Sequence, residues 1–171
     1  MQKPLLPANE SDRLKALNAL CILDTPPEER LDRFTRLAQH LFDVPIAVVT
    51  LVDTDRQWFK SVQGLPVRQA SRDVSFCGHT ILHDETMVVS DALLDQRFSD
   101  NPLVTGAPNI RFYAGTPLHS AEGYRVGVLC IIDVKPREFT EKQIQALRDL
   151  ADCVEHEVQS TVLLLTSNNL R

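Results

Sequence analysis

An apolar, β-rich run, Ile46-Ala-Val-Val-Thr-Leu-Val52, begins the most regular part of this sequence. The run is too short for a helix and too apolar for an exposed strand, so it predicts a strand at the centre of a sheet. Asp53-Thr-Asp-Arg56 predicts a turn, and Gln57-Trp-Phe-Lys-Ser-Val62 alternates as a second strand. We therefore expect residues 46–62 to form a β-hairpin.

A second hairpin is predicted later in the chain. Residues 110–118 and 125–133 are both strand-like, and Ala121-Glu-Gly123 between them predicts a turn. Met87-Val-Val89 predicts a further short strand. Two hairpins with helical segments before and after them are typical of an α+β protein with an antiparallel sheet.

Three helices are predicted around these strands. Asn9 can cap the first helix, and Thr25-Pro-Pro-Glu28 combines a capping threonine, a proline at the first helical position and a glutamate three residues on. The helix after this motif should bury one face before Pro45 ends it. That face comprises Leu31, Phe34, Leu37, Ala38 and Leu41.

A long third helix is predicted from residue 141 to about residue 165. Thr140 and Gln143 form its capping box. Its apolar positions step by three and four residues, which is the spacing of a coiled-coil seam. The seam comprises Ile144, Leu147, Ala151, Val154, Val158, Thr161 and Leu165, with Leu163 and Leu164 beside its end.

Composition restricts the class of protein. The chain has 171 residues, 43% hydrophobic and 24% charged, which predicts one folded domain rather than a disordered chain. A net charge of −5 argues against nucleic acid or an anionic membrane as the main partner. No apolar run approaches the ~20 residues of a membrane span, and residues 1–9 form a leader, expected to be flexible, without a signal-peptide core. We expect a cytoplasmic protein.

The four cysteines do not form a Cys-x-x-Cys motif, so the sequence predicts no zinc ribbon and no thioredoxin-like motif. Cys21, Cys130 and Cys153 lie in apolar patterns and are expected to be buried, reduced thiols. Cys77 follows Ser75 at the start of a possible short helix, where it is either a packed thiol or a reactive one. His79 lies four residues before a second histidine, but no third ligand is evident, so no metal site is predicted.

The segment 63–110 is mostly irregular, and long irregular segments within a compact domain are usually functional. Its aromatic residues could line a small-molecule pocket or form an ordinary core. Six of the ten aromatic residues lie in or beside it: Trp58, Phe59, Phe76, Phe98, Phe112 and Tyr113. If Arg111 faces inward, it needs an acidic partner or an anionic ligand, and an ion pair with Asp91, Asp95 or Asp100 is the favoured interpretation.

Five segments in order together resemble a bacterial GAF domain. They are Phe76-Cys-Gly-His-Thr-Ile81, Val88-Val-Ser-Asp-Ala92, residues 95–106, Ile110-Arg-Phe-Tyr-Ala-Gly115 and Gly127-Val-Leu-Cys-Ile-Ile-Asp133. Residues 23–30 and 53–60 resemble the branch of that family whose members stand alone or precede diguanylate cyclase or histidine kinase modules. The resemblance covers residues 10–160, which leaves residues 161–171 as a helix end and tail.

The resemblance implies a PAS-like, three-layer fold. A central antiparallel sheet of five or six strands would carry the terminal helices on one face and a loop-covered pocket on the other. Members of the family bind cyclic nucleotides, bilins, haem or amino-acid derivatives, but the signatures for cyclic nucleotides and bilins are missing here, and the ligand and any cofactor stay unknown. The expected pocket residues are Trp58, Phe76, Cys77, His79, Asp91, Arg111, Phe112 and Tyr113.

The predicted function is therefore a sensory or regulatory module that binds a small ligand and has no catalysis of its own. It would form a parallel homodimer through its N- and C-terminal helices and signal to an output protein such as a diguanylate cyclase or histidine kinase. The alternative is an enzyme resembling the free methionine-R-sulfoxide reductases and using Cys77. Such catalysis needs a second thiol, and the sequence has none between residues 78 and 129.

Overall fold

The computed structural model describes the backbone of residues 1–168 and the side chains of residues 1–161 and 167. Within this range the helices are α1 (Glu10–Ala19), α2 (Glu29–Phe42), α3 (Phe76–Thr80), α4 (Pro102–Thr105) and α5 (Glu141–Asn168). The strands are β1 (Ile46–Val52), β2 (Arg56–Gln63), β3 (Gln69–Ser71), β4 (Met87–Val89), β5 (Phe112–His119) and β6 (Arg125–Asp133). Short 3₁₀ turns cover Arg72–Val74 and Ala92–Leu94.

The strands form one six-stranded antiparallel sheet in the order β3-β2-β1-β6-β5-β4. The two predicted hairpins, β1–β2 and β5–β6, meet where β1 pairs with β6, from Ile46 opposite Ile132 to Leu51 opposite Gly127. A bulge in β2 places one extra residue opposite the step from Val49 to Thr50. The α+β expectation and the central position of β1 are confirmed.

Each face of the sheet carries its own hydrophobic core. On one face α1, α2 and α5 pack against alternate strand residues, with Leu17, Leu31 and Leu147 fully buried. On the other face α3, α4 and the irregular segments around them cover the sheet. The chain therefore has the three-layer arrangement expected from the sequence, with the terminal helices together on one side.

The start of α2 differs from the prediction. The helix begins at Glu29, and Thr25 does not cap it. Thr25 instead accepts a hydrogen bond from the buried Lys60 ammonium at 2.7 Å, and the Pro26 carbonyl accepts another at 2.6 Å. A buried ammonium needs oxygen partners. The hydrogen bonds from Lys60 therefore hold Thr25 and Pro26 outside the helix.

The predicted apolar face of α2 is also partly wrong. Leu31 and Ala38 are buried as expected, but Leu37 and Leu41 are 52% and 61% exposed. Thr35 is buried in place of Leu37, because its hydroxyl contacts Ser61 on β2 at 2.8 Å. A buried hydrogen bond to the sheet therefore sets the rotation of the helix.

The long helix α5 begins as predicted. Thr140 N–H donates to Gln143 Oε1 at 2.9 Å, and Gln143 N–H donates to Thr140 Oγ1 at 3.2 Å. The seam residues from Leu147 to Val158 are buried against the domain's own sheet and α2. Val158 is therefore a core residue of the monomer, while the side chains of residues 163–165 lie outside those described. None of the described helices is long and apolar enough to cross a membrane.

Candidate functional site

A cavity of about 350 Å³ lies between the sheet and the segments that cover its second face. This volume is within the range of small-molecule sites. The sheet forms its floor, and α3 with the segments around β3 and α4 forms its walls. The lining residues are Val48, Thr50, Gln57, Phe59, Leu65, Pro66, Val67, Gln69, Ala70, Phe76, Cys77, Leu103, Ala107, Pro108, Ile110, Tyr113, Cys130 and Ile132.

The lining is apolar and uncharged. Aliphatic and aromatic side chains make up most of it, and no Asp, Glu, Lys, Arg or His is among the described residues that line it. The polar groups are two amides, two thiols, the Thr50 hydroxyl and the Tyr113 phenol. Such a surface suits a neutral, mainly apolar molecule with a few hydrogen-bonding atoms, since an ion would lose its hydration without gaining a partner.

The pleat of the sheet explains which aromatic residues reach the cavity. Successive side chains on a strand point to opposite faces, so Trp58 and Phe59 cannot both face the cavity, nor can Phe112 and Tyr113. Phe59 and Tyr113 line it, whereas Trp58 and Phe112 belong to the core on the helix side. Of the eight predicted pocket residues, the cavity is lined by Phe76, Cys77 and Tyr113.

His79, Asp91 and Arg111 lie away from the cavity lining. The His79 ring meets the edge of Phe98 with centroids 5.0 Å apart, and its Nε2 lies 3.1 Å from the carbonyl oxygen of Gln2 in the leader. Burial lowers the pKa of His79. This histidine holds the leader against α3, where Pro4 also packs over Gly78.

Asp91 and Arg111 support the backbone. Asp91 Oδ1 accepts the N–H of Leu93 at 3.1 Å and so caps the 3₁₀ turn after β4. Arg111 donates to the carbonyls of Val104 and Ile110, each at 2.9 Å, and has no ion pair among the described residues. The favoured ion pair of Arg111 with Asp91, Asp95 or Asp100 is therefore not formed, because neutral carbonyl oxygens satisfy the guanidinium instead.

Two thiols meet at the floor of the cavity. The sulfurs of Cys77 on α3 and Cys130 on β6 are 4.0 Å apart, and both side chains are buried. The Tyr113 hydroxyl lies 3.3 Å from Cys77 Sγ and 2.8 Å from Thr80 Oγ1. The neighbouring Cys77 thiol and burial raise the pKa of the Cys130 thiol, and burial raises the pKa of Tyr113. The Cys130 thiol and the Tyr113 phenol therefore stay neutral near pH 7.

Sequence reasoning missed the position of Cys130 beside Cys77. The two residues are 53 positions apart, and only the packing of α3 against β6 brings them together. The alternation of β1 could have identified Val48 and Thr50 as cavity residues once the covered face was known. Cys21 and Cys153 are exposed rather than buried. Among the described side chains, no three of the His, Cys, Asp and Glu type converge to hold a metal ion.

An antiparallel sheet with packed helices on one face and a pocket on the other defines the class of small sensory domains to which PAS and GAF folds belong. Residues 26–158 match the GAF domain family. Because the match covers most of the chain, the chain belongs to this family. The resemblance in its five sequence segments is thereby confirmed.

Particular relatives share the sequence or the fold. The chain is 40% identical over 165 residues to a cyclic di-GMP phosphodiesterase of Pseudomonas aeruginosa, covering 94% of this chain and 28% of that protein. The free methionine-R-sulfoxide reductase of Neisseria meningitidis superposes with a TM-score of 0.64 and 18% identity, covering 96% and 99% of the two chains. The GAF domain of an Acinetobacter phosphoenolpyruvate-protein phosphotransferase superposes with a TM-score of 0.60 and 16% identity. The match covers 94% of this chain and 98% of that domain.

Proposed function

We propose that this GAF domain is a sensory module that binds an uncharged, mainly apolar small molecule in the cavity above β1 and β6. The observation that carries this proposal is that every described side chain lining the space of about 350 Å³ is uncharged. Thr50 and Gln57 would supply hydrogen bonds to the few polar atoms of the ligand. Recognition would otherwise rest on apolar contact, which favours molecules of matching shape.

The ligand proposed here is different from the substrate in the name of the P. aeruginosa relative. A cyclic dinucleotide carries two phosphate charges, and the described lining offers no cationic side chain to hold them. The chain spans 28% of that relative. The relationship therefore supports a regulatory part for this module beside a cyclic di-GMP-metabolising partner rather than catalysis within it.

Occupancy of the cavity would reach an output partner through α5. The strand β6 supplies Cys130 and Ile132 to the cavity floor, and a connecting segment of seven residues joins it to α5. A shift of β6 would therefore act directly on the packing of this helix. We propose that the domain forms a parallel homodimer through its terminal helices and that it works in the cytoplasm.

The competing function is free methionine-R-sulfoxide reduction. The proximity of Cys77 and Cys130 favours it, because a nucleophilic thiol would have a second thiol in reach. The charge of the substrate opposes it, because a free amino acid carries an ammonium and a carboxylate that the described lining does not match. A reductase assay with thioredoxin separates the two functions, since turnover lost in Cys77→Ser would establish the enzyme.

Binding of a neutral fluorescent probe tests the proposed function. N-phenyl-1-naphthylamine should bind the wild type saturably with enhanced emission. Ala70→Phe places a large ring in the cavity wall and should weaken binding at least about tenfold, an affinity loss of about 1.4 kcal/mol. Ala121→Phe, in an exposed turn, is the matched control and should bind like the wild type. Equal binding by all three proteins, or none by the wild type, would contradict the proposal.

A further inference from the structure

The paired thiols at the cavity floor are the part of the site that ligand binding does not require. Cys77 and Cys130 come from different elements, α3 and β6, and their sulfurs are 4.0 Å apart. A disulfide bond needs about 2.05 Å between sulfurs, so closure requires an approach of about 2 Å. Both residues line the cavity, which leaves free volume on one side of the pair.

The described surroundings of the thiol pair are uncharged. The Thr50 hydroxyl is buried beside the sulfurs and has no hydrogen-bond partner of ordinary geometry in the described part of the chain. Tyr113 contacts Cys77 through its hydroxyl. No charged side chain lines this space within the described residues, so only an uncharged reagent can approach the sulfurs without losing hydration.

We propose that Cys77 and Cys130 are an oxidation site that forms a reversible intramolecular disulfide when a small neutral hydroperoxide enters the cavity. This inference is independent of the proposed ligand, because it requires only the sulfur pair and access through the cavity. The exposed cysteines, Cys21 and Cys153, take no part in it.

The reaction proceeds in two balanced steps. Cys77 sulfur attacks one oxygen of the hydroperoxide and the O–O bond breaks, so that Cys77 becomes a sulfenic acid and the other oxygen leaves with the thiol proton as an alcohol, or as water from hydrogen peroxide. Cys130 sulfur then attacks the sulfenic sulfur, an S–S bond forms and water leaves with the Cys130 proton. The hydroperoxide is reduced by two electrons, and the two thiols are oxidised by two.

Cys77 is the thiol expected to react first. The hydrogen bond between the two thiols lowers the pKa of Cys77, so Cys77 is the thiol that supplies the attacking thiolate. Cys130 lies within the central strand β6, and its raised pKa keeps it protonated. A low-molecular-weight thiol reverses the reaction by attacking the disulfide.

The test uses the full chain with Cys21→Ser and Cys153→Ser, which removes the exposed thiols. The folded protein is treated with hydrogen peroxide, quenched with catalase, unfolded and alkylated with N-ethylmaleimide. We expect a mass loss of about 2 Da, no alkylation and a cross-linked peptide containing Cys77 and Cys130. If the oxidised protein is reduced with dithiothreitol before N-ethylmaleimide is added, both cysteines should be alkylated.

The matched control adds Cys130→Ala to the same background. It should lose no pair of hydrogens and should carry either one alkylation or an oxidised Cys77. The parent protein here is the chain with Cys21→Ser and Cys153→Ser. Two alkylations of this protein after peroxide treatment would overturn the proposal, as would sulfinic acid on Cys77 with Cys130 still free. If the control variant fails to fold, the cross-linked peptide of the parent still gives the answer.

Discussion

At the scale of single residues, Tyr113 shows how the cavity keeps its polar groups neutral. The Thr80 hydroxyl donates a hydrogen bond to the carbonyl of Phe76 at 3.1 Å and accepts one from the Tyr113 hydroxyl at 2.8 Å. The phenol thus joins α3 to β5 and contacts Cys77 at the same time. Its loss affects both the wall and the floor of the site.

Tyr113→Phe should reduce the free energy of unfolding by about 1–2 kcal/mol, because Thr80 and Cys77 lose a buried hydrogen-bond partner while the ring still packs on Phe76. Urea unfolding followed by circular dichroism measures this difference. Tyr124→Phe is the control, since the Tyr124 hydroxyl has no hydrogen bond among the described residues. An equal loss in both variants would show that Tyr113 acts only through packing.

At the scale of secondary-structure elements, Glu10 fastens α1 to the sheet. It lies between the buried guanidinium groups of Arg13 and Arg72, and these also donate to the carbonyls of Val52 and Asp53. Burial opposes the ionisation of Glu10, but the hydrogen bonds from Arg13 and Arg72 outweigh it and lower its pKa to about 2. The carboxylate is therefore charged throughout the neutral range.

Glu10→Gln should cost about 3 kcal/mol in the free energy of unfolding, because two buried cations would share a neutral partner. The folded pKa of Glu10 lies below the unfolded value of 4.5, so the stabilisation is present above pH 4.5 and is lost as the pH falls towards about 2. Glu122→Gln, in an exposed turn, should change the stability by less than about 0.5 kcal/mol. A Glu10→Gln variant as stable as this control would refute the account.

A second contact between elements joins α5 to the segment after α3. His119 at the end of β5 contacts Glu155 of α5 through Nδ1 at 2.7 Å and Asp84 through Nε2 at 3.1 Å. The hydrogen bond with Glu155 and that with Asp84 raise the pKa of His119. The ring thus bridges α5 and the segment that follows α3.

Stability should depend on the charge of this ring. The folded pKa of His119 is raised above the ordinary value of 6.5, so its stabilisation is complete below pH 6.5 and disappears as the pH rises through the folded pKa. His119→Gln should therefore lose about 1 kcal/mol at acidic pH and less at alkaline pH. His156→Gln on the exposed side of α5 is the control. A His119→Gln deficit that is constant with pH would disprove the charge effect.

The sequence predicts the elements more completely than their contacts. The limits of β1 and the capping box of α5 follow from local residue patterns, and both are confirmed. The start of α2 was missed because Lys60 from a distant strand controls Thr25. Local patterns contain no information about such a distant partner. For the same reason the sequence did not predict that Cys77 and Cys130 lie side by side.

At the scale of the whole molecule, the predicted homodimer depends on the end of α5. Sedimentation equilibrium should give about twice the chain mass of 19.2 kDa. Leu165→Asp should produce the folded monomer, because a charge at this seam position opposes association. Leu94→Asp is the control, since Leu94 is 84% exposed on the 3₁₀ turn. A wild-type monomer at tens of micromolar would defeat the prediction.

The site as a whole was only partly predictable from the sequence. The resemblance placed a pocket under residues 63–113, and Phe76, Cys77 and Tyr113 line the cavity found there. Trp58 and Phe112 could not be assigned to a face until the register and the covered side of the sheet were known. The lining comes from segments that are far apart in the sequence, so its lack of charge can be seen only in the folded structure.

The proposed sensory function depends on the neutral, apolar character of the cavity, which native mass spectrometry can test. The wild-type protein and Ala70→Phe are incubated separately with the organic-solvent extract and the aqueous extract of the source cells, and then desalted. We expect the wild type to retain an uncharged molecule from the organic extract and Ala70→Phe to retain less of it. Retention of an anionic molecule from the aqueous extract alone, or of nothing from either extract, would contradict the account.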